Sequence, residues 1–219
     1  MTSAPTPKIV HGSKSIKDQY GKYLWLIIAA NTVFLLGIAK ANAIRLDGLR
    51  SLFANAESLL PLGFAVVVTT VLNGLLSADT KARFVFLRWN HALPGHRAFT
   101  VYAKRDPRVD IAALVALNGS ELPADPVEQN RLWYKFYRSM EGDLAVDQSH
   151  KDFLLLRDYT GLSLLFVLFY GAAGIISIPS IRVSLSYVVL LIVQFAIVRH
   201  AASNYGIRFV TTVLARRAG

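Results

Sequence analysis

The stretch Tyr159-Thr-Gly-Leu-Ser-Leu-Leu-Phe-Val-Leu-Phe-Tyr-Gly-Ala-Ala-Gly-Ile-Ile-Ser-Ile178 decides the fold of this 219-residue chain. It carries no charged side chain, and as a helix rising about 1.5 Å per residue it is long enough to cross a hydrocarbon core roughly 30 Å thick. Inside lipid its backbone groups are satisfied only by its own helical hydrogen bonds. Three further stretches read the same way: Tyr23–Ala39, Ser58–Ala78 and Val183–Val198. The fold class expected is an all-α membrane protein with four transmembrane helices in two hairpins. A small, mainly helical domain is inserted between the second and third spans. The expected divisions are a basic tail at 1–22, a first hairpin at 23–78, a domain at 79–158, a second hairpin at 159–198 and a basic amphipathic tail at 199–219.

Charge placement orients these elements. Lys8, Lys14, Lys17 and Lys22 precede the first span, and Arg199, Arg208, Arg216 and Arg217 follow the last. The insert holds twelve more basic residues, whereas the two short loops hold only Lys40, Arg45, Arg50 and Arg182. The positive-inside rule then puts both termini and the insert in the cytoplasm. The net charge of +10 belongs mostly to the tails, because the insert carries eleven acidic residues against its twelve basic ones. Nucleic-acid binding, which calls for a basic field, is therefore not expected. An absence of cysteine excludes disulfides and thiolate chemistry. The run Ala39-Lys40-Ala41-Asn42-Ala43 also resembles a secretory cleavage site, which would remove the first span.

Punctuation along the chain gives the smaller elements. Residues 1–20 read as a mobile tail, Asp47-Gly48 as a turn, and Ser58 with Pro61 as the start of the second span. From Asp79 to Trp89 there is no Gly or Pro, so the second span is expected to run on as one long helix until Leu93-Pro94-Gly95 breaks it. Asp106-Pro107 signals a helix running to Asn118-Gly119. Asp125, Pro126 and Glu128 form a strong N-terminus, with Gly142 past the end. Trp133, Phe136, Tyr137 and Met140 then share one stripe. Ser149 with Asp152 resembles a capping box, and nothing interrupts the chain from His150 into the third span. Ile207, Val210, Val213 and Leu214 recur at helical spacing, as in a segment lying on an anionic leaflet.

Candidate functional residues are scattered. Lys104, Arg105 and Arg108 surround the helix start expected at Asp106, a candidate anion site joined by His91, His96 and Arg97. The two histidines stand five apart across Pro-Gly, so no metal site is assigned. Trp133, Tyr134 and Tyr137, with Arg131, Lys135 and Arg138 opposite, could stack a ring or hold a partner. Arg157 and Asp158 sit at the inner mouth of the third span, within reach of Asp79, Lys81 or Arg83 if the helices are adjacent. Asn31, Thr69, Asn73 and Gln194 are candidate polar lining, with Thr32, Thr70, Ser163 and Tyr170 as further polar groups in the spans.

No nucleophile with its base, no paired catalytic carboxylates and no cofactor motif stands out, so no enzyme is expected. The ratio of parts suggests an oligomeric inner-membrane effector whose cytoplasmic domain senses a small anionic ligand or a protein. By analogy of architecture, bacterial stress or anti-phage defence is a fitting context. An anchor or assembly subunit is the second reading, and an oligomeric transporter or integral-membrane enzyme the third.

Overall fold

The computed structural model describes residues 16–41 and 60–219. The Asp47-Gly48 turn, the Ser58 start and most of the N-terminal tail lie outside them. Of the described residues 84% are helical and none lies in a strand, so the all-α class holds. The helices are α1 (Ile16–Ala39), α2 (Leu60–Leu75), α3 (Ala78–Phe86), α4 (Ile111–Asn118), α5 (Pro126–Ser139), α6 (Leu144–Ser177) and α7 (Ile181–Ala218). Three of them, α1, α6 and α7, are long and apolar enough to cross a membrane, and α2 with α3 makes a fourth if that bent pair is one span. The protein is membrane-embedded.

Two hydrophobic cores divide the molecule. The first joins Leu24, Ile28 and Leu35 of α1, Leu62 and Ala65 of α2, Leu162, Phe166 and Tyr170 of α6, and Tyr187 and Leu191 of α7. Away from this seam the helices expose large apolar side chains such as Leu26, Val67 and Ile197, as lipid-facing surfaces do. The second core gathers Val85 and Phe86 of α3, Leu114 of α4, Trp133 and Phe136 of α5, and Val146 and Phe153 of α6. It is closed by Phe209, Val210, Val213 and Leu214 of α7.

Four elements differ from the sequence expectation. The second span does not continue straight: the chain bends by 102° between α2 and α3. Ser77 restarts it, accepting the Thr80 N–H and so satisfying one of the four free donors at a helix start. α3 then ends at Leu87, in the left-handed region (φ 50°), before Pro94 is reached. No helix begins at Asp106-Pro107. The Asp106 carboxylate is occupied by the Arg108 N–H and guanidinium, and Asp110 caps α4 by accepting the Ala113 N–H. Ser149 is not a cap either: its hydroxyl bonds back to Val146 O inside α6, which starts at Leu144 under Asp143.

The fourth difference is the largest. Residues 199–218 are no separate interfacial tail but the second half of α7, a 38-residue helix. The apolar stripe expected to meet a leaflet instead meets protein. Trp133 Nε1 donates to Val210 O at 3.4 Å, Arg216 pairs with Asp143 at 3.4 Å, and Phe209 packs edge-on against Trp133. Amphipathic spacing reads identically for both partners. The expected elements that hold are α5, capped by Asp125 through the Val127 and Glu128 N–H groups, and the unbroken run through α6.

α6 and α7 make the most extensive helix pair, and their approach depends on small residues. A methyl on Gly206 would stand 2.8 Å from both the Phe86 and Phe153 rings. Gly206→Ala should therefore lower the melting temperature in detergent, a destabilisation of about 1–3 kcal/mol. Gly37→Ala, which meets nothing within 4 Å, should leave melting unchanged.

Candidate functional site at the bundle boundary

Where the two cores meet, charge is buried. Asp158, one turn before Leu162 on α6, is 3% exposed. Its Oδ1 lies 3.2 Å from Lys81 Nζ of α3 and accepts Arg157 Nε and Nη2 at 3.2 and 3.1 Å. Its Oδ2 accepts the Tyr20 hydroxyl of α1 at 3.1 Å. Lys81 is itself only 6% exposed. One carboxylate thus ties three helices together, and the Lys81 that reaches it lies just past the 102° bend between α2 and α3. Of the basic and acidic groups that the sequence offered to the Arg157–Asp158 pair, Lys81 reaches it, whereas Asp79 and Arg83 pair with each other at 2.7 Å. Tyr20 belonged to the tail read as mobile, at 1–20; instead it lies in α1, 6% exposed, because its hydroxyl is held by Asp158.

Arg157 also forms part of a second wall. A cavity of about 330 Å³ opens between α5 and α6, bounded by Tyr134, Tyr137, Arg138, His150 and Arg157 with Phe209 behind. The Tyr137 hydroxyl sits 3.1 Å from His150 Nδ1. The aromatic stripe of α5 is mostly core: Trp133 is 6% exposed and Tyr137 stacks on it at 5.9 Å. Tyr134 alone of these rings is half exposed. Arg131 and Arg138 pair with Glu128 and Glu141 along the surface, and Lys135 is exposed between them.

The anion site expected around Lys104, Arg105 and Arg108 loses its helix terminus, since none begins there. Arg108 is taken by Asp106 at 2.7 Å and by the Thr211 hydroxyl at 3.2 Å. That guanidinium holds the Asp106 carboxyl well below the usual carboxylate range. Lys104 is exposed, and Arg105 borders a shallow cleft with Tyr102 and Ile207. His91 and His96 do approach, ring to ring at 5.1 Å, but no group of three or more potential ligands forms among the described residues. Burial lowers the His96 pKa, and its Nδ1 is 3.1 Å from Leu93 O. Arg97 is exposed. Nothing in the sequence marked Gln129, which is 1% exposed and accepts from the Phe99 and Thr100 N–H groups, fixing the turn that follows these residues.

The polar residues of the apolar helices separate into two kinds. Asn31 and Thr70 bond to carbonyls of their own helices, and Gln194 ties α7 to the Tyr159 hydroxyl at 2.8 Å. Thr69 Oγ1 and Asn73 Oδ1 are buried with no hydrogen-bond partner among the described residues. A buried polar atom left so costs about 1–3 kcal/mol. Ser163 bonds to Thr160 O, and Thr32 lies 2.9 Å from the Tyr170 hydroxyl.

The chain matches no protein-family model, no curated protein and no solved structure.

Two outcomes follow from this chemistry. Asp158→Asn leaves Lys81 and Arg157 without their shared carboxylate and should destabilise by about 3–5 kcal/mol. Lys81→Met and Arg157→Met together with Asp158→Leu, which removes all three charges, should recover most of that loss, as read by thermal unfolding of both variants. Asp106, whose folded pKa is depressed, contributes stability that is present above its unfolded pKa and lost as pH falls through the folded value. The stability gap between native protein and Arg108→Ala should then narrow as pH drops below about 4.

Proposed function

We propose that this chain is a multi-pass inner-membrane effector: a cytoplasmic domain senses a small anionic ligand or protein partner, and the signal acts on the membrane bundle. The observation that carries the reading is the Asp158 junction. It is a buried ion pair set where the domain core ends and the apolar bundle begins, and it holds α1, α3 and α6 at once. α6 and α7 run without a break from one core into the other, so a rearrangement in the domain reaches the bundle through stiff elements. Arg157 links input to output, since its guanidinium borders the aromatic cavity and also holds Asp158. An anion entering that cavity competes with Asp158 for the same cation.

The topology assigned here puts both chain ends and the domain in the cytoplasm, on the placement of twenty of the twenty-four basic residues. Oligomerisation of the bundle, a bacterial inner membrane and a role in stress or anti-phage defence belong to the same reading. The supporting argument is architectural: a minimal bundle joined rigidly to a compact domain. An anchoring subunit is the second reading, favoured by the exposed outer side of α5, where Arg131, Tyr134 and Lys135 face away from the core.

A potential-sensitive dye in cells expressing the protein tests the first reading. Arg157→Gln, which weakens the hold on Asp158, should depolarise the membrane to the level seen with a protonophore. Lys81→Met and Arg157→Met together with Asp158→Leu, which leave no unpaired charge at the junction, should stay at the empty-vector level at equal amounts of protein. If neither native protein nor Arg157→Gln ever depolarises the cell, the effector reading fails and the anchor stands.

A further inference from the structure

The interior of the bundle is not uniformly apolar. Its polar groups fall on successive levels along α6. At the domain end stands Asp158 with Tyr20 and Lys81. Asn73 comes next: a methyl on Gly161, one turn along α6, would stand 3.1 Å from Asn73 Oδ1. α2 runs antiparallel to α6, so Thr69, one turn back along α2, lies about 6 Å deeper, level with Leu165 and Phe166. One further turn along α6 the Tyr170 hydroxyl meets Thr32. Tyr187 and Ser184, from the first two turns of α7, complete the far end.

These levels are short of partners. Thr69 Oγ1, Asn73 Oδ1, Ser184 Oγ and Tyr187 Oη are all buried without a hydrogen bond among the described residues. In an apolar surrounding such atoms are satisfied by enclosed water, which bonds to two or more polar groups at a time. At the level between Thr69 and Tyr170, α6 contributes large apolar side chains. Phe166 is fully buried, as is Leu162, and the Phe166 ring lies 4.7 Å from that of Tyr170. Here α6 also departs from α geometry, since Phe166–Tyr170 forms a widened π turn. Such turns occur mostly as single insertions in helices and concentrate at functional sites.

We propose that the bundle contains an interrupted water file that carries protons, with Phe166 as its dry gate. The domain-side segment runs from Asp158 past Asn73 to Thr69, and the far segment runs from Tyr170 and Thr32 to Tyr187 and Ser184. When the Phe166 ring leaves the gap, water joins the two segments across roughly one helical turn, a distance bridged by about two water–water hydrogen bonds. Each water accepts one proton and passes one on, so nothing is consumed, and the charge moved is balanced by counter-ions crossing elsewhere. A hydrophobic constriction that opens by wetting is an established way to gate a pore. The inference rests on the reading of the bundle as the output element. It specifies the permeant as the proton and places the path within one protomer.

The test uses the full chain in vesicles loaded with a pH-sensitive dye, with a potassium gradient and valinomycin to balance charge. Phe166→Ala should raise proton influx at least tenfold over native protein, and adding Thr69→Val should return it to the native rate. A Phe166→Ala protein that elutes and melts as the native does, yet leaks no faster, overturns the proposal. A second measurement covers the case in which Phe166→Ala fails to fold. The chain has no cysteine, so Thr69→Cys introduces a single thiol into an otherwise native bundle. Silver ion should reach that thiol in intact vesicles and protect it from maleimide added after unfolding. A thiol that silver leaves fully open to maleimide shows a dry interior and overturns the file. Neither assay uses the cell-depolarisation result, so failure of the water file and failure of the effector reading are told apart.

Discussion

A carboxylate enclosed by apolar helices must be paired, and Asp158 is paired from three directions at once. Removing a carboxylate from water carries a penalty of several kcal/mol, which only close cations and donors offset. That requirement sets the geometry around it. Lys81 reaches it from α3, just past the bend that follows Leu75. Tyr20 has to stand at the same height, so α1 is fixed in its axial position against α6. Arg157 follows from the neighbouring residue and brings a cavity wall with it. The junction is less a reinforcement of the fold than the reason its parts meet at this level.

Around the junction the two cores are built on different principles. The domain core is closed by aromatic packing, with Phe209 at the meeting point of Trp133, Tyr137 and Phe153. Gln129 is satisfied within it at both ends of its amide, accepting from the Phe99 and Thr100 N–H groups and donating to Ala124 O. The bundle core is a seam of mixed size in which small residues admit large neighbours: Gly174 lies against the Tyr187 ring. Outside that seam its helices show apolar faces for which lipid is the natural solvent. Hydrophobic burial therefore orders the domain, whereas van der Waals fit and a few polar contacts order the bundle.

How much of this was legible in the sequence varies by element. α5 was readable because Asp125, Pro126 and the spacing of Trp133, Phe136 and Tyr137 all agree, and local preference coincides with tertiary need. The run through α6 was readable for the same reason. Asp106-Pro107 carries the same local signal as Asp125-Pro126 but loses it to Arg108, a competition that depends on a side chain two residues on. The bend at Ser77 had a local signal in Gly74, three residues earlier, since Gly with Ser is a common site of helix kinks, but the straight continuation was read only from Asp79 onward. Ser77 can cap a helix anywhere, and the contact that the bend goes with, Lys81 to Asp158, joins residues seventy-seven apart in the chain. The end of α7 was misread because an apolar stripe does not state whether its partner is lipid or protein. Of the candidate site, Arg157 and Asp158 were visible as charges beside a span. Tyr20, Phe166 and the cavity depended on three-dimensional placement.

α7 holds one last consequence. Its 38 residues make a rod of about 57 Å whose first half is fitted to the bundle and whose second half completes the domain core. Inserting or deleting one residue near Arg199 would turn one half against the other by about 100°. Tyr187 and Phe209 could not then both find their pockets. The helix can change its residues over evolutionary time, but it cannot readily change its length. Bundle and domain are kept in phase, as two gears cut on a single shaft.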